Sequence, residues 1–230
     1  MTFLEIAQQL VRESGTADDG SPSTVVSQTG RMSKVIGWAK SAYTLIQTAE
    51  PEWRWMQRRF SGPTISGQRN YDGNDMGVTT RFKAFVCRNS PRENRFTIYE
   101  TALGVSDEGK LSFVNYDDFV TRYVRGTQTN DKPAYFTIAP DGDLWLHPIP
   151  DGIYTIQGPY RRSAQALALD ADEPEMPEEF HELIVEVGLM FLGVHDETPQ
   201  VTHWMLRRSE RFNQLRRDQL PKLRLGERFA

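Results

Sequence analysis

The sequence predicts an α+β protein in which helices from both ends of the chain form a bundle around an inserted antiparallel β region. Apolar residues recur at helical spacing in residues 1–56 and again in residues 170–220. Residues 57–169 instead alternate apolar with polar residues and are rich in aromatic and β-branched side chains. No period of 20–50 residues repeats, which excludes solenoid and propeller folds.

The amino-terminal part is expected to hold two helices. Thr2 followed by Glu5 fits a capping box at the start of the first helix, which should end near Ser14. The second should end before Pro51, because the residue that precedes a proline avoids helical backbone. Its apolar face is expected to comprise Met32, Val35, Ile36, Ala39, Ala42, Tyr43 and Ile46.

The inserted region is expected to contain strands joined by hairpin turns. Three short segments, 107–109, 140–142 and 150–152, each end in an acidic residue followed by glycine, a composition that favours hairpin turns. Residues 116–125 are expected to form a short helix. The predicted strands are 79–88, 95–101, 110–115, 134–138, 144–147 and 153–160.

Two more helices are expected in the carboxyl-terminal part, followed by an extended tail at 221–230. Pro177 suits the first turn of one helix, whose apolar face should run from Phe180 to Val194, with burial on several sides. Thr198 is expected to cap the last helix, which should end before Pro221. The tail is basic and has few apolar residues to bury.

Charge is strongly segregated in this half of the chain. The net charge of −4, from 27 basic and 31 acidic residues, argues against a surface that binds nucleic acid or an anionic membrane throughout. However, residues 166–198 contain ten acidic and no basic residues, whereas residues 199–230 contain eight basic and three acidic ones. Such polarity favours directional contacts between subunits.

Motifs that would indicate catalysis or cofactor binding are not found. Gly104 to Lys110 has the spacing of a phosphate-binding loop, but Leu111 stands where a magnesium-binding Ser or Thr is required, so a hairpin turn is expected. The four histidines have no metal-ligand spacing, and the single Cys87 cannot form an internal disulfide. The sequence therefore predicts no enzyme activity, no metal or cofactor, and no membrane association.

Two segments allow alternative interpretations. The acidic run from Asp170 to Glu175 could bind a cation, but it lacks the glycine and distal glutamate of a calcium loop, so a solvated linker is favoured. Trp53 and Trp55, among arginines, could stack on nucleic-acid bases. An aromatic cluster that holds the helix exit to the core is the favoured interpretation.

An ordered series of short motifs covers residues 130–195. It comprises KPAYF (132–136), DGDLWLHPIPD (141–151), Tyr154, YRR (160–162), LDADEP (169–174) and MPEEFHELI (176–184). This series resembles the carboxyl-terminal half of the tailed-bacteriophage head–tail adaptor proteins, also called connector or head-completion proteins. The amino-terminal helices fit that family more loosely, and residues 60–130 match none of its patterns.

The resemblance implies a structural role in the virion, at the head–tail junction, after assembly in the host cytoplasm. Proteins of this family form a ring, commonly of twelve copies, beneath the portal of the DNA-filled head. The expected partners are further copies of this chain, the portal protein, tail or nozzle or terminator proteins, and genomic DNA that passes through the lumen without sequence-specific binding. A tail-completion or terminator ring and, less well supported, a DNA-binding protein are the alternatives.

Two sets of residues are expected to make these contacts, and neither is catalytic. Subunit contacts are assigned to the acidic run and to part of the last helix: Asp170, Asp172, Glu173, Glu175, Arg207, Arg208 and Arg211. Portal contacts are assigned to the basic end of the chain: Arg216, Arg217, Lys222, Arg224 and Arg228.

Overall fold

The computed structural model describes residues 1–15, 20–87 and 95–221. In these ranges the chain is mixed α+β, as expected, and divides into two units, Gln57–Ser163 and the remainder on either side of it. The α-helices are α1 (Phe3–Glu13), α2 (Gly30–Ala49), α3 (Tyr116–Phe119), α4 (Glu182–Asp196) and α5 (Val201–Gln219). The strands are β1 (Gln57–Pro63), β2 (Asn70–Tyr71), β3 (Phe82–Phe85), β4 (Thr97–Glu100), β5 (Gly109–Lys110), β6 (Ser112–Phe113), β7 (Tyr135–Ile138), β8 (Leu144–His147) and β9 (Tyr154–Arg162).

The helical unit contains α1, α2, α4 and α5, which contribute to one apolar cluster. The capping box at the start of α1 is confirmed: Glu5 N donates to Thr2 Oγ1 at 3.3 Å, and Thr2 N donates to Glu5 Oε2 at 2.8 Å. Gly188 of α4 lies so close to α1 that an added Cβ would stand 2.2 Å from Leu10 Cδ1. The glycine therefore permits close packing of these two helices.

Polar side chains join α2 to the segment that precedes α4. The buried Gln47 donates to the carbonyl of Gln165 at 3.0 Å and accepts from its amide at 2.7 Å. Tyr43 Oη donates to Gln165 Oε1 at 2.8 Å and accepts from Glu175 N at 3.0 Å. These bonds satisfy polar groups that would be costly to bury unpaired, and they join segments more than 110 residues apart in sequence.

The β unit is built from two sheets. In the first, β9 pairs with β1 along one edge and with both β4 and β3 along the other, and β5 extends the sheet beyond β4; all of these pairs are antiparallel. The second has the order β2-β8-β7-β6. The two sheets share one apolar core, in which the rings of Phe96 and Phe136 stack at 4.4 Å.

Several features of this unit differ from the expectations. The predicted strand 110–115 is divided between β5 of the first sheet and β6 of the second, and β2 was not predicted. β1 was not predicted, because Gly62 and Pro63 indicate a break; they are tolerated because β1 pairs only with β9 and is an edge strand. The segment 150–152 does not close a hairpin, because β8 and β9 belong to different sheets. β6 and β7 are parallel, and the helical turns of 116–124 lie in the connection that parallel strands require.

The carboxyl-terminal helices match the predicted positions with two exceptions. Thr198 does not cap the last helix, because α5 begins at Val201 and Gln200 occupies its cap position without a side-chain hydrogen bond. α4 is buried on several sides, and α5 ends shortly before Pro221. Val194, expected to lie in the apolar core face of α4, is instead 60% exposed. Within the described ranges, no helix has both the length and the apolar character needed to cross a membrane.

Candidate assembly surfaces

A cluster of opposite charges joins α4 to α5. Glu186 of α4 is 2% exposed, and its Oε1 lies 3.4 Å from Arg207 Nε and 3.2 Å from Arg211 Nε. Arg211 also pairs with Glu182, and Arg207 lies 3.9 Å from Glu13 of α1. Because residues one helical turn apart lie on the same face, Arg207 and Arg211 of α5 both face the same carboxylate.

Burial and ion pairing act in opposite directions on Glu186. Neither carboxylate oxygen accepts a hydrogen bond from the described residues, since the arginine nitrogens lie outside hydrogen-bond geometry. Desolvation raises the pKa of Glu186, and the attraction of Arg211 and Arg207 only partly opposes this rise. The desolvation of Glu186 therefore offsets much of the attraction between the opposite charges of this cluster.

A second charged group lies at the carboxyl end of α4. Asp196 pairs with Arg31 of α2 and accepts a hydrogen bond from His195 Nδ1 at 2.8 Å. The hydrogen bond from Arg31, reinforced by that from His195, lowers the pKa of Asp196 to about 2. Together with Glu182 and Glu186, Asp196 shows that part of the acidic segment is neutralised by arginines of its own chain.

The acidic run from Asp170 to Glu175 shapes the backbone around it. Asp170 Oδ1 accepts hydrogen bonds from Val25 N at 2.6 Å and from Thr24 Oγ1 at 3.0 Å. Asp172 Oδ2 accepts from the amides of residues 168 and 169 at 2.6 and 2.8 Å, which lowers the pKa of Asp172. The run is thus not a solvated linker, although Glu173 within it is exposed.

The run also holds the start of the chain. The carbonyl oxygens of Asp170 and Asp172 accept hydrogen bonds from Leu4 N at 3.2 Å and Phe3 N at 2.7 Å. These amides belong to the first turn of α1, where no partner within the helix is available. The residues assigned to subunit contacts therefore also position α1.

Arginines of α5 differ in what they contact. Arg216 pairs with Glu50 at 2.8 Å and lies over the ring of Phe212, whereas Arg217 is exposed and donates to the carbonyl of Asn213. Arg208 also lies over Phe212, at 5.7 Å. Lys222, Arg224 and Arg228 lie outside the described residues.

Trp53 and Trp55 belong to the core of the helical unit. Trp53 is fully buried, stacks on Trp55 at 4.5 Å and donates from its indole to the Ile46 carbonyl at 2.8 Å. The edge-to-face contact of Trp53 with Phe212 joins this pair to α5. The favoured interpretation of the aromatic cluster is confirmed, since these rings are not presented for base stacking.

The segment that shares the spacing of a phosphate-binding loop has a different structure. Gly104–Asp107 is a 3₁₀ turn, and the two-residue strand β5 follows it. Asp107 is paired with Lys132 at 2.5 Å, and this contact lowers the pKa of the carboxyl. A phosphate-binding loop instead connects a strand to a helix.

His181 and Cys87 occupy packed positions. The buried His181 lies 2.9 Å from the amino group of Met1 through Nδ1 and 3.0 Å from the Met176 carbonyl through Nε2. Burial raises the pKa of the Cys87 thiol to about 12, which disfavours the reactive thiolate. Among the residues that the structure describes, no group of His, Cys, Asp and Glu is arranged to hold a metal ion.

A family model described as SU10 adaptor protein matches residues 1–228. The chain belongs to this family. The membership expected from the motif series in residues 130–195, that of a phage head–tail adaptor, is thereby confirmed. No curated protein gives a significant match.

Membership makes this adaptor a structural component that associates with phage head and tail parts and with the virion. The match also covers residues 60–130, where no family pattern was found. The sequence did not predict that Val194 of α4 and several apolar side chains in the loops of the β unit are exposed. Hydrophobic periodicity could not reveal this exposure, because it indicates which residues share a face but not whether another element covers that face.

Proposed function

We propose that this adaptor forms a ring beneath the phage portal, joins the DNA-filled head to the tail and continues the DNA channel. The observation that carries the proposal is the family match over residues 1–228. The role is structural, without catalysis, and the helices from both ends of the chain act as a bundle that forms the core of the ring. Twelve copies are the expected number.

The charge distribution supports a ring of identical subunits. In a closed ring of rotated copies, each subunit presents one surface to the preceding copy and a different one to the next. The charged surface of α5 and the acidic run from Asp170 to Glu175 offer two such surfaces. Because Arg207 and Arg211 are already paired with Glu186, we assign direct contacts between copies to exposed Glu173 and to Arg208.

The remaining residues of the predicted interface act through the segments they shape. Asp170 and Asp172 accept hydrogen bonds from backbone amides, and the amide of Glu175 binds Tyr43. Substituting any of these would therefore disturb the fold as well as the assembly. Glu173, whose side chain is exposed, is the better position at which to test subunit contacts alone.

Portal binding is assigned to Arg217 and the segment that follows α5. Arg216 is engaged with Glu50 and Phe212, so we expect it to position the end of α5 rather than to reach a partner. Lys222, Arg224 and Arg228 supply the remaining positive charge of the proposed contact. A basic segment of this kind is suited to an acidic surface on the portal.

Deletion of residues 221–230 tests this assignment. The shortened chain should keep its thermal unfolding midpoint, because α5 ends at Gln219 and the deletion leaves this helix intact, and should lose at least tenfold in affinity for portal-bearing heads. A variant with Arg122→Glu, an exposed position in the β unit, serves as the control for a general loss of positive charge. Undiminished binding of the shortened chain would refute the assignment.

Electron microscopy of heads purified without this protein tests the proposed function as a whole. Adding the protein should produce new ring-shaped density beneath the portal, and symmetry analysis of that density gives the copy number. A pull-down with preassembled tails distinguishes the alternative role. Binding to isolated tails but not to heads would indicate a tail-completion ring instead.

A further inference from the structure

The helical unit carries an open apolar groove. Its walls come from three helices: Trp38 of α2, Met190, Phe191 and Val194 of α4, and Met205 of α5. The groove has a volume of about 490 Å³. The neighbouring Leu206 is 63% exposed, so apolar surface continues beyond the groove.

Two cations beside the groove have no acidic partner among the described residues. Lys34 Nζ lies 3.4 Å from Nε2 of His195, which lines the groove. Arg208 follows Met205 by three residues on α5 and therefore lies on the same side of that helix. Of the acidic residues at this end of α4, Asp196 is already paired with Arg31 and Glu197 is exposed, so two cations stand beside one carboxylate that is unpaired among the described residues. The groove is therefore apolar with a basic edge.

The β unit carries a complementary feature at one end of its first sheet. The end of β1, the end of β4 and the start of β9 lie together in this sheet. Pro63 of β1 pairs with Thr155 of β9, and Glu100 of β4 pairs with Tyr154 of β9. The three adjoining loops expose four large apolar side chains, which we call the apolar tip: Ile65, Leu103, Val105 and Ile153.

Hydrogen bonds hold the loops of the apolar tip together. Ser66 Oγ donates to the Asp151 carbonyl at 3.0 Å, Gly67 N donates to the Pro150 carbonyl at 2.8 Å, and Thr101 N donates to the Ile153 carbonyl at 3.3 Å. A preorganised surface loses little conformational freedom when it binds. The exposure of these apolar side chains is thus a property of a fixed surface.

Acidic residues surround the apolar tip. Asp151 accepts a hydrogen bond from Tyr154 Oη at 2.6 Å, and this bond, together with burial and with the nearby charges of Asp151, Glu100 and Asp131, raises the pKa of Tyr154 to about 12. Exposed Glu108 follows the turn that carries Val105. An apolar surface with an acidic edge matches an apolar groove with a basic edge.

We propose that the apolar tip of one copy docks in the basic-edged groove of the next copy. The inference rests on the proposed ring, because only a repeated association uses both surfaces of every subunit. The apolar contact supplies affinity, and the charges at the two edges set its direction and disfavour contact between two tips or two grooves. The occupant of the groove is therefore a second copy of this chain.

Cysteine cross-linking on portal-bearing heads tests this pairing. In a Cys87→Ser background, one population carries Leu103→Cys and another carries Val194→Cys, so that a disulfide between them must join two chains. Mixed populations bound to heads should form covalent dimers under mild oxidation. Neither population alone should form such dimers. A mixture of the Leu103→Cys and Arg122→Cys proteins is the matched control, because Arg122 does not line the groove.

The outcomes separate this inference from the proposed function. If the mixed populations bind heads as a ring but give no more dimer than the control, the pairing is wrong and the ring stands. If the unaltered protein does not bind heads at all, the proposed function fails and the inference fails with it. Dimers above the control level support both.

Charge exchange provides an independent measurement. Lys34→Glu with Arg208→Glu should weaken occupancy of heads at least tenfold, and so should Glu100→Lys with Asp131→Lys. Combining all four substitutions should restore most of the binding, because opposite charges face each other again. Circular dichroism first establishes that all of these variants are folded. If the variant with all four substitutions then binds heads no better than the variants with two, the inference is overturned.

Discussion

At the scale of single residues, the charged groups of α4 do opposite things to stability. Burial raises the pKa of Glu186. In contrast, the hydrogen-bonded ion pair between Asp196 and Arg31 lowers the pKa of Asp196. A group whose pKa is raised on folding loses part of its contribution as pH rises, and one whose pKa is lowered loses it as pH falls. The two carboxylates can therefore be distinguished by titrating stability.

Glu186→Gln should change the pH dependence of stability. The free energy of unfolding of the unaltered protein, relative to that of the variant, should fall as pH rises above about 4.5, because the raised pKa makes the ionised form of Glu186 unfavourable in the fold. Urea denaturation from pH 4 to 7 measures the difference. Glu179→Gln, at an exposed carboxylate, controls for the loss of one charge, and a relative stability that increased with pH would contradict the prediction.

Asp196→Asn should show the opposite dependence. At pH 7 it should cost about 1 kcal/mol, the upper part of the range for partly exposed ion pairs, because the ionised carboxylate pairs with Arg31. This cost should persist above pH 3.8 and disappear as pH falls towards 2, where Asp196 becomes protonated in the folded state. Thermal unfolding at several pH values measures this loss of stability, and Glu197→Gln is the matched control variant. A loss that did not change with pH would contradict the prediction.

At the scale of elements, close backbone approach sets the limits on substitution. A Cβ added at Gly62 of β1 would lie 2.5 Å from the Cα of Met76, a backbone atom that cannot move as a side chain does. Gly37 of α2, in contrast, has no atom within 4 Å of an added Cβ. The same substitution should therefore have opposite effects at the two positions.

Gly62→Ala should destabilise the protein by about 2 kcal/mol or more, within the range for overpacked sites. Gly37→Ala should leave stability unchanged or raise it by up to about 1 kcal/mol, because alanine favours a helix over glycine. The urea unfolding midpoints of the two variants at neutral pH measure both changes in stability. If the two variants had equal stability, the close approach of β1 to Met76 would be refuted.

The elements also show which parts of this fold the sequence predicts and why it does not predict the others. Periodicity identified α1, α2, α4 and α5, and the capping box located the start of α1, because these signals are local to each helix; the start of α5 was misplaced because Thr198 does not cap it. The separation of β8 from β9 into different sheets depends on which strands pair, and β9 pairs with β1 almost 100 residues earlier. The assembly surfaces were less predictable for the same reason: the pairing of Arg207 with Glu186 requires that α5 lie on α4.

At the scale of the whole molecule, we expect weak DNA binding. Trp53 and Trp55 are buried, and the five arginines of α5 all contact groups within the chain. The full-length protein should therefore bind duplex DNA no more tightly than about 10⁻⁴–10⁻⁶ M at physiological salt, the non-specific range. Fluorescence anisotropy with labelled duplex measures this, and nanomolar binding that falls steeply with salt would favour a DNA-binding protein over an adaptor.

The insertion of the β unit between the two parts of the helical unit has a consequence for synthesis. All strands of both sheets lie within Gln57–Ser163, so the ribosome delivers a complete β unit before α4 and α5 exist. At about 5–20 residues per second, α1 and α2 wait on the order of 10–30 s for the helices that cover their apolar faces. During that interval Phe3, Leu10 and Ile46 lack the core residues that α4 and α5 contribute. We therefore expect chaperones to bind the nascent amino-terminal helices.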